Sequence, residues 1–219
     1  MKIFAHRGYV INDSAQNSIK SLNAAVENNF FGVEYDVWFK GGKLVVAHDD
    51  PSDSDLNILP KFRDYFVQGN KIKYWIDFKN MNESNATEIL RIVKQDVDFC
   101  KISARNIYFA PYIERLSEAA LVYDKIREIF GREAQIMAFC IKIPSERLQR
   151  YYQDLKKNDI KFLSIMHENI DENFIRIFRD IEIFAWTIND FERMKEIAML
   201  GVSNCTSDKI TPRDYDARK

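Results

Sequence analysis

Glu34 and Asp36 stand two apart inside an apolar run, Gly32-Val33-Glu34-Tyr35-Asp36-Val37-Trp38-Phe39. On a β-strand, residues at that spacing share a face. Two carboxylates buried side by side without partners are costly. A third, Asp77, lies in the next β-prone run beside Phe78-Lys79, and like charges push one another's pKa up. Either these acids pair with Arg7 and Lys79 as structural ion pairs, or a divalent cation joins them. Three oxygen donors with open positions suit Mg²⁺, Ca²⁺ or Mn²⁺ better than zinc. One divalent cation held by Glu34, Asp36 and Asp77 is therefore the expected cofactor.

Two of the chain's three histidines, His6 and His48, fall where such runs end. Imidazole serves as both base and acid near neutral pH. Arg7 and Lys79 supply positive charge suited to the non-bridging oxygens of a phosphate. Hydrolysis of a phosphodiester needs this combination: a base for the nucleophile, an acid for the leaving alkoxide, and cations for the phosphoryl oxygens. The third histidine, His167, belongs to no motif and is expected on the surface or behind the site. No Gly-rich phosphate loop, dinucleotide fingerprint or Gly-x-Ser-x-Gly elbow occurs, so phosphate must be held by side chains and metal.

These residues need a scaffold that gathers strand ends. Short β-prone runs at 2–6, 32–39, 72–78, 107–110, 135–140, 162–166, 183–187 and 202–205 alternate with amphipathic stretches at 18–28, 56–65, 84–99, 114–129, 145–158, 173–179 and 190–200. The apolar residues of the latter recur near a 3.6 period, as Ile89, Ile92, Val93 and Val97 do. Asp190 is placed to cap the last helix and Gly201 to close it. Strict alternation implies parallel strands with helices outside. Eight units predict a compact (β/α)8 TIM-type barrel, with a doubly wound open sheet as the alternative. Residues 1–219 are expected to form a single domain, since no repeat or linker divides them.

One feature breaks the alternation. Gly41-Gly42 joins two β-prone runs and predicts a hairpin over about residues 33–47, additional to the eight strands and at the barrel rim. A regular ladder outward from a two-residue turn sets His48 opposite Tyr35. His48 would then face away from Glu34 and Asp36. For His48 to reach the acids, the hairpin must bulge, lengthen its loop, or stop pairing before residue 48.

Composition bounds the rest. The chain has 219 residues, 46% hydrophobic and 30% charged, with a net charge of −1. That balance gives no global attraction to nucleic acid or an anionic membrane, and nucleic acid is not an expected partner. No run approaches the roughly 18 apolar residues of a membrane span. No apolar stretch of signal length precedes His6, which makes a cytoplasmic location the expectation. Cys100, Cys140 and Cys205, an odd and widely spaced trio, suggest neither a disulfide framework nor a zinc knuckle. Oligomeric state is left open.

With these residues assembled, the chain resembles the glycerophosphodiester phosphodiesterases, within the phosphatidylinositol-phospholipase-C-like group of TIM-barrel phosphodiesterases. The resemblance rests on Ala5-His6-Arg7-Gly8, Gln16-Asn17-Ser18, Gly32-Val33-Glu34-Tyr35-Asp36-Val37, Leu44-Val45-Val46-Ala47-His48-Asp49 and Ile76-Asp77-Phe78-Lys79. Ala185-Trp186-Thr187-Ile188-Asn189 and Thr206-Ser207-Asp208 continue it, so it runs in order along nearly the whole chain. It implies acid/base catalysis by His6 and His48, phosphate binding by Arg7 and Lys79, and a metal on Glu34, Asp36 and Asp77. It also implies an alcohol pocket lined by Trp186, which read by itself is equally a core aromatic. The implied reaction releases glycerol phosphate and an alcohol from a glycerophosphodiester, through attack by the substrate's own adjacent hydroxyl and a cyclic phosphate that water opens. A glycan-linked glycerophosphodiester joins the small-molecule ones as an expected substrate only because residues 49 to 71 are short.

Three departures mark this chain. Gln16 stands where the family usually has Glu, which leaves Arg7 an amide partner instead of an acid. Asp77 is one methylene shorter than the family's usual Glu. Residues 49 to 71 leave room for a loop and one helix, not for the small subdomain often inserted there. The alternatives that these departures keep open are a catalytically silent binding module and a phospholipase of the sphingomyelinase D type.

Overall fold

The computed structural model describes residues 1–11 and 14–218. Eight parallel strands close into a ring: β1 (Lys2–Ala5), β2 (Gly32–Lys40), β4 (Lys73–Phe78), β5 (Ile107–Pro111), β6 (Gln135–Cys140), β7 (Phe162–Met166), β8 (Glu182–Trp186) and β9 (Asn204–Ser207). Pairing of β1 with both β2 and β9 completes the closure, which settles barrel over open sheet. The expected strands all appear, shifted by at most two residues at their ends. Between them run α1 (Ile19–Glu27), α2 (Ala86–Phe99), α3 (Leu116–Phe130), α4 (Leu148–Lys157), α5 (Glu172–Ile177) and α6 (Phe191–Met199), and α7 (Pro212–Ala217) follows β9. No helix among the described residues is long and apolar enough to cross a membrane.

Strand alternation builds two cores. Outward residues such as Ile3, Val33, Ile76, Phe109, Leu163 and Ala185 pack against the helices. Inward residues Phe4, Trp75, Tyr108, Met137 and Phe184 fill the barrel, with their rings meeting edge-on or tilted at 5.0–5.9 Å. This plug leaves space inside the barrel only near the strand ends, as expected for a packed (β/α)8 interior.

Two helical expectations differ from the structure. The stretch 56–65 is no α-helix; it holds a 3-10 turn at Asp55–Asn57 and enters 3-10 structure over Phe62–Lys71 that Gly69, at φ +57, interrupts. Pro60 between them lacks an N–H and disfavours a helical conformation at the residue before it, so the amphipathic spacing is overridden. The spacing still reports burial: Phe62, Tyr65 and Phe66 pack under Tyr35 and Tyr74. Helix α7 was not expected, although Thr211, Pro212 and Asp214 form a capping box with Pro in the first turn. Asp190 caps α6 as expected, its carboxylate accepting from Arg193 N at 2.8 Å.

The hairpin forms β2 and β3 (Lys43–Val46) in the register Lys40↔Lys43, Phe39↔Leu44, Trp38↔Val45 and Val37↔Val46. Gly41 and Gly42 turn at φ +56 and +71, a combination that side chains other than glycine resist. There is no bulge. Pairing instead stops: Ala47 N still donates to Asp36 O at 3.2 Å, but Asp36 N donates to the Asn17 side chain at 3.2 Å. His48 therefore lies beyond the ladder, the third of the three ways it could reach the acids.

Candidate active site

The first βα connection is built to hold two backbone groups at the strand ends. Arg7 sits at φ +56, sparsely populated for a residue with a side chain, and its N–H donates to Glu34 Oε2 at 2.9 Å. Gly8 follows at φ +80, where an added Cβ would fall 2.3 Å from Ser21 Oγ on α1. Asn17 grips Asp36 with both ends of its amide, donating to Oδ2 at 2.8 Å while accepting from the Asp36 amide. Tyr65, from the 3-10 segment, donates its hydroxyl to Asn17 O. The loop before α1 is thus tied to the carboxylates it serves.

Glu34, Asp36 and Asp77 are all buried, and one carboxylate oxygen from each lies within 4.8 Å of the others. The shorter Asp77 therefore still joins the cluster. Lys79 Nζ bridges Asp36 Oδ1 and Asp77 Oδ2 at 2.6 Å each, and Arg7 Nε lies 3.2 Å from Asp36 Oδ2 as an ion pair without hydrogen-bond alignment. The structural ion pairs anticipated from sequence are therefore present. They do not exhaust the negative charge. Three carboxylates face two cations, and Asp77 Oδ1 has no hydrogen-bond partner among the described residues. Burial, and then the Asp36 charge, pushes the Glu34 carboxyl far up. Burial likewise pushes Asp77 up to about 6, with Lys79 pulling it back and Asp36 adding to the rise. An orphaned carboxylate oxygen, and carboxyls crowded enough to hold on to their protons, are what a divalent cation would relieve, so the cluster fits one.

His6 lies at the same level. Its Nδ1 is 2.8 Å from Asp208 Oδ1, and its Nε2 is 3.9 Å from Glu34 Oε2. Asp208 is itself fixed: its Oδ2 accepts from Asn189 Nδ2 at 2.7 Å, and its amide donates to Asn189 Oδ1 at 2.8 Å. A carboxylate on Nδ1 selects the tautomer that leaves Nε2 free to take a proton. Burial acts to lower the His6 pKa, but the Asp208 hydrogen bond and the charges of Glu34 and Asp208 outweigh it, and the net direction is up. For Asp208, burial acts to raise and the bonds from His6 and Asn189 to lower; the carboxyl ends below its ordinary value.

His48 is the more open histidine, its side chain 46% exposed against 18% for His6. Trp38 Nε1 donates to His48 O at 3.2 Å, and Asp49 Oδ1 lies 2.8 Å from His48 Nδ1. One cavity of about 200 Å³ brings together all eight residues singled out from sequence: His6, Arg7, Glu34, Asp36, His48, Asp77, Lys79 and Trp186. Trp186 lines it while stacking on Phe139 at 5.7 Å. Gln16 Oε1 accepts from Arg7 Nη1 at 3.3 Å, the amide substitute for the missing acid. His167 stays outside the cavity lining, with its Nδ1 accepting from Arg193 Nε at 3.3 Å.

Several residues with evident parts in this arrangement had no role in the sequence reading: Asn17, Asn189 and Asp208 among the supports, and Tyr112, Phe139 and Ser164 in the wall. Asp208 was recoverable in principle. It continues the inward alternation of Asn204 and Thr206, but only once the register of β9 is known.

The fold has close counterparts among solved structures. A glycerophosphodiester phosphodiesterase from Parabacteroides distasonis superposes with a TM-score of 0.80 at 19% identity, over 99% of this chain and 95% of that one. An Oleispira antarctica phosphodiesterase, solved in complex with the product sn-glycerol-3-phosphate, gives 0.76 at 17% identity over 99% and 96%. A Thermotoga maritima glycerophosphodiester phosphodiesterase gives 0.71 at 20% identity over 99% and 97%. No protein-family model matches the chain, and no curated protein does.

Proposed function

We propose that this chain is a metal-dependent glycerophosphodiester phosphodiesterase, a single catalytic domain without a large cap, that hydrolyses a glycerophosphodiester to glycerol phosphate and an alcohol. The observation that carries the reading is the convergence on one cavity of two histidines, two basic residues and three carboxylates from several strands and the loops that follow them. Packing alone demands none of them there. The barrel likeness to phosphodiesterases, one of them holding sn-glycerol-3-phosphate, supports the same class.

Arg7 and Lys79 bind and orient the phosphate, their charges directed at its non-bridging oxygens. Glu34, Asp36 and Asp77 hold a divalent cation, which when bound supplies Lewis-acid stabilisation of phosphoryl charge. His6, deep in the cavity and oriented by Asp208, takes the proton of the attacking hydroxyl through Nε2. His48, at the open mouth, gives a proton to the departing alkoxide, which leaves as the alcohol. When the substrate's own adjacent hydroxyl is the nucleophile, the product of this step is a cyclic phosphate. Water then opens that ring with the histidine roles reversed, which restores both protonation states. Trp186 and Phe139 close the apolar side of the cavity.

The test is release of glycerol phosphate from a panel of glycerophosphodiesters with Mg²⁺, Mn²⁺, Ca²⁺ or chelator. Turnover that chelator abolishes is expected. Equal rates with metal and chelator overturn the metal role, and no turnover of any diester overturns the function.

A further inference from the structure

The cavity wall carries two polar groups that the mechanism above does not use. Ser164, on β7, is 1% exposed, and its Oγ meets no hydrogen-bond partner among the described residues. Trp186 Nε1, on β8, is buried and equally unpartnered. Both line the cavity. Leaving a buried hydroxyl or indole N–H unsatisfied is costly, so a serine at an inward barrel position between Phe139 and Phe184 is poorly explained by packing. Alanine would fill that position at lower cost.

Their place in the ring says what they face. Around the closed barrel, β7 lies four strands from β2 in either direction, and β8 four from β4. Ser164 and Trp186 thus stand across the cavity from Glu34, Asp36 and Asp77. A ligand whose phosphate sits at the carboxylates and basic residues presents its far end to them. At about 200 Å³ the cavity is smaller than the several hundred Å³ of a drug-sized site, so it admits the small half of a diester and leaves the other half outside.

We infer that Ser164 Oγ and Trp186 Nε1 bind the terminal hydroxyl of the glyceryl half, the one farthest from phosphorus. They are specificity residues that select a glyceryl ester over analogues lacking that hydroxyl. The inference rests on the function proposed above and adds which half of the diester enters the cavity. Ser164 both donates and accepts, and the indole donates only, which together match one hydroxyl. A site built to hydrogen-bond a hydroxyl penalises its absence, because its own polar groups are then left unpaired.

The test compares sn-glycerol 3-phosphate with propane-1,2-diol 1-phosphate, which keeps the hydroxyl adjacent to the phosphate ester and lacks the terminal one. Calorimetric titration with Mg²⁺ present is expected to show the wild type binding glycerol phosphate about tenfold more tightly. Ser164→Ala and Trp186→Phe are each expected to bring the two ligands to within about threefold. Ser164→Ala removes an oxygen without a protein partner, so its thermal midpoint should hold or rise. Trp186→Phe keeps an aromatic ring on Phe139 and guards against a packing artefact in the first variant. Equal binding of the two ligands by the wild type, or an undiminished preference in both variants, overturns the inference while leaving the phosphodiesterase reading intact. Binding of neither ligand overturns both.

Discussion

The two ends of the barrel are both polar, yet they treat charge differently. At the amino-terminal end of the strands, Lys2 pairs with Glu182 at 3.5 Å, Asn204 donates to the same carboxylate at 2.8 Å, and Lys73 donates to Arg105 O and Asn106 Oδ1. The two partners of that ion pair are 46% and 35% exposed, so water shares the task. At the carboxyl-terminal end, three carboxylates are packed behind Lys79 and Arg7 with one oxygen orphaned and the Glu34 and Asp77 pKa values driven up. One end spends its polar groups on closing the barrel. The other crowds its carboxyls into a state that only a held proton or a bound cation relieves, which is how functional sites depart from the consistency of the rest of a fold.

The same substitution at each end should therefore have opposite consequences. Glu34→Gln is expected to lower turnover on the order of a thousandfold, the scale of losing a group that stabilises transition-state charge. Measured without divalent cation near neutral pH, it should also raise the thermal midpoint, because it removes a buried carboxylate. Glu182→Gln should leave turnover within twofold and lower stability by at most about 1 kcal/mol, as exposed ion pairs do. Loss of activity in both variants, or in neither, would break the distinction.

The histidines sharpen it within one rim. His48→Ala should cost about a hundredfold or more in turnover with its thermal midpoint unchanged. His167→Ala, from a residue engaged by Arg193 and Glu168 outside the cavity, should stay within twofold. Steady-state rates on a single glycerophosphodiester decide this.

What the sequence made legible follows from the range of each cue. Period-two spacing placed Glu34 with Asp36, and Asp77 with Lys79, because strand alternation is local and survives any packing. The Gly41-Gly42 turn was legible for the same reason, down to its register. Pro60 shows the limit of periodicity: the apolar spacing around it is real, and it reports a buried 3-10 segment, not an α-helix. The supports of the site were not legible. Asp208 lies 202 residues from His6, so their pairing depends on barrel closure, which no local pattern encodes; Asn17 lies 19 from Asp36, and its pairing depends on how the loop before α1 folds over β2. Ser164 was hidden for another reason. A lone serine in a β-run carries no signal until the strand's inward face, and the emptiness around its hydroxyl, are known.

Proton linkage gives a third contrast. The Asp77 carboxyl is raised from an ordinary 3.8 to about 6, and Glu34 is raised as well. A carboxyl that holds its proton more tightly folded than unfolded favours folding at low pH. As pH rises past the unfolded value, the unfolded chain releases protons first, and stability falls until the folded groups have ionised too. The cation-free protein should thus lose stability from about pH 4 through 6 and above. A divalent cation should restore it most at the alkaline end of that range, by about 2–3 kcal/mol at a hundredfold excess over its Kd. Thermal melts in chelator and in Mg²⁺ across this range test it; a cation effect independent of pH would remove the carboxylates as its site.

The smallest expected effect concerns how His48 is aimed. A ladder continued past Val46 would set His48 opposite Tyr35 and turn it from the acids. Asn17 prevents this by taking the Asp36 amide, and Trp38 then holds the released chain through its indole bond to His48 O. Trp38→Phe keeps an aromatic ring at this position and removes the indole donor. Turnover should fall several-fold with little change in KM, since a misplaced proton donor affects the reacting step more than substrate binding. The thermal midpoint should shift by no more than a neutral hydrogen bond accounts for, about 1 kcal/mol. An unchanged kcat would mean that the loop after β3 positions His48 without help from the hairpin. A fall as large as that of His48→Ala would instead place Trp38 itself in contact with the substrate.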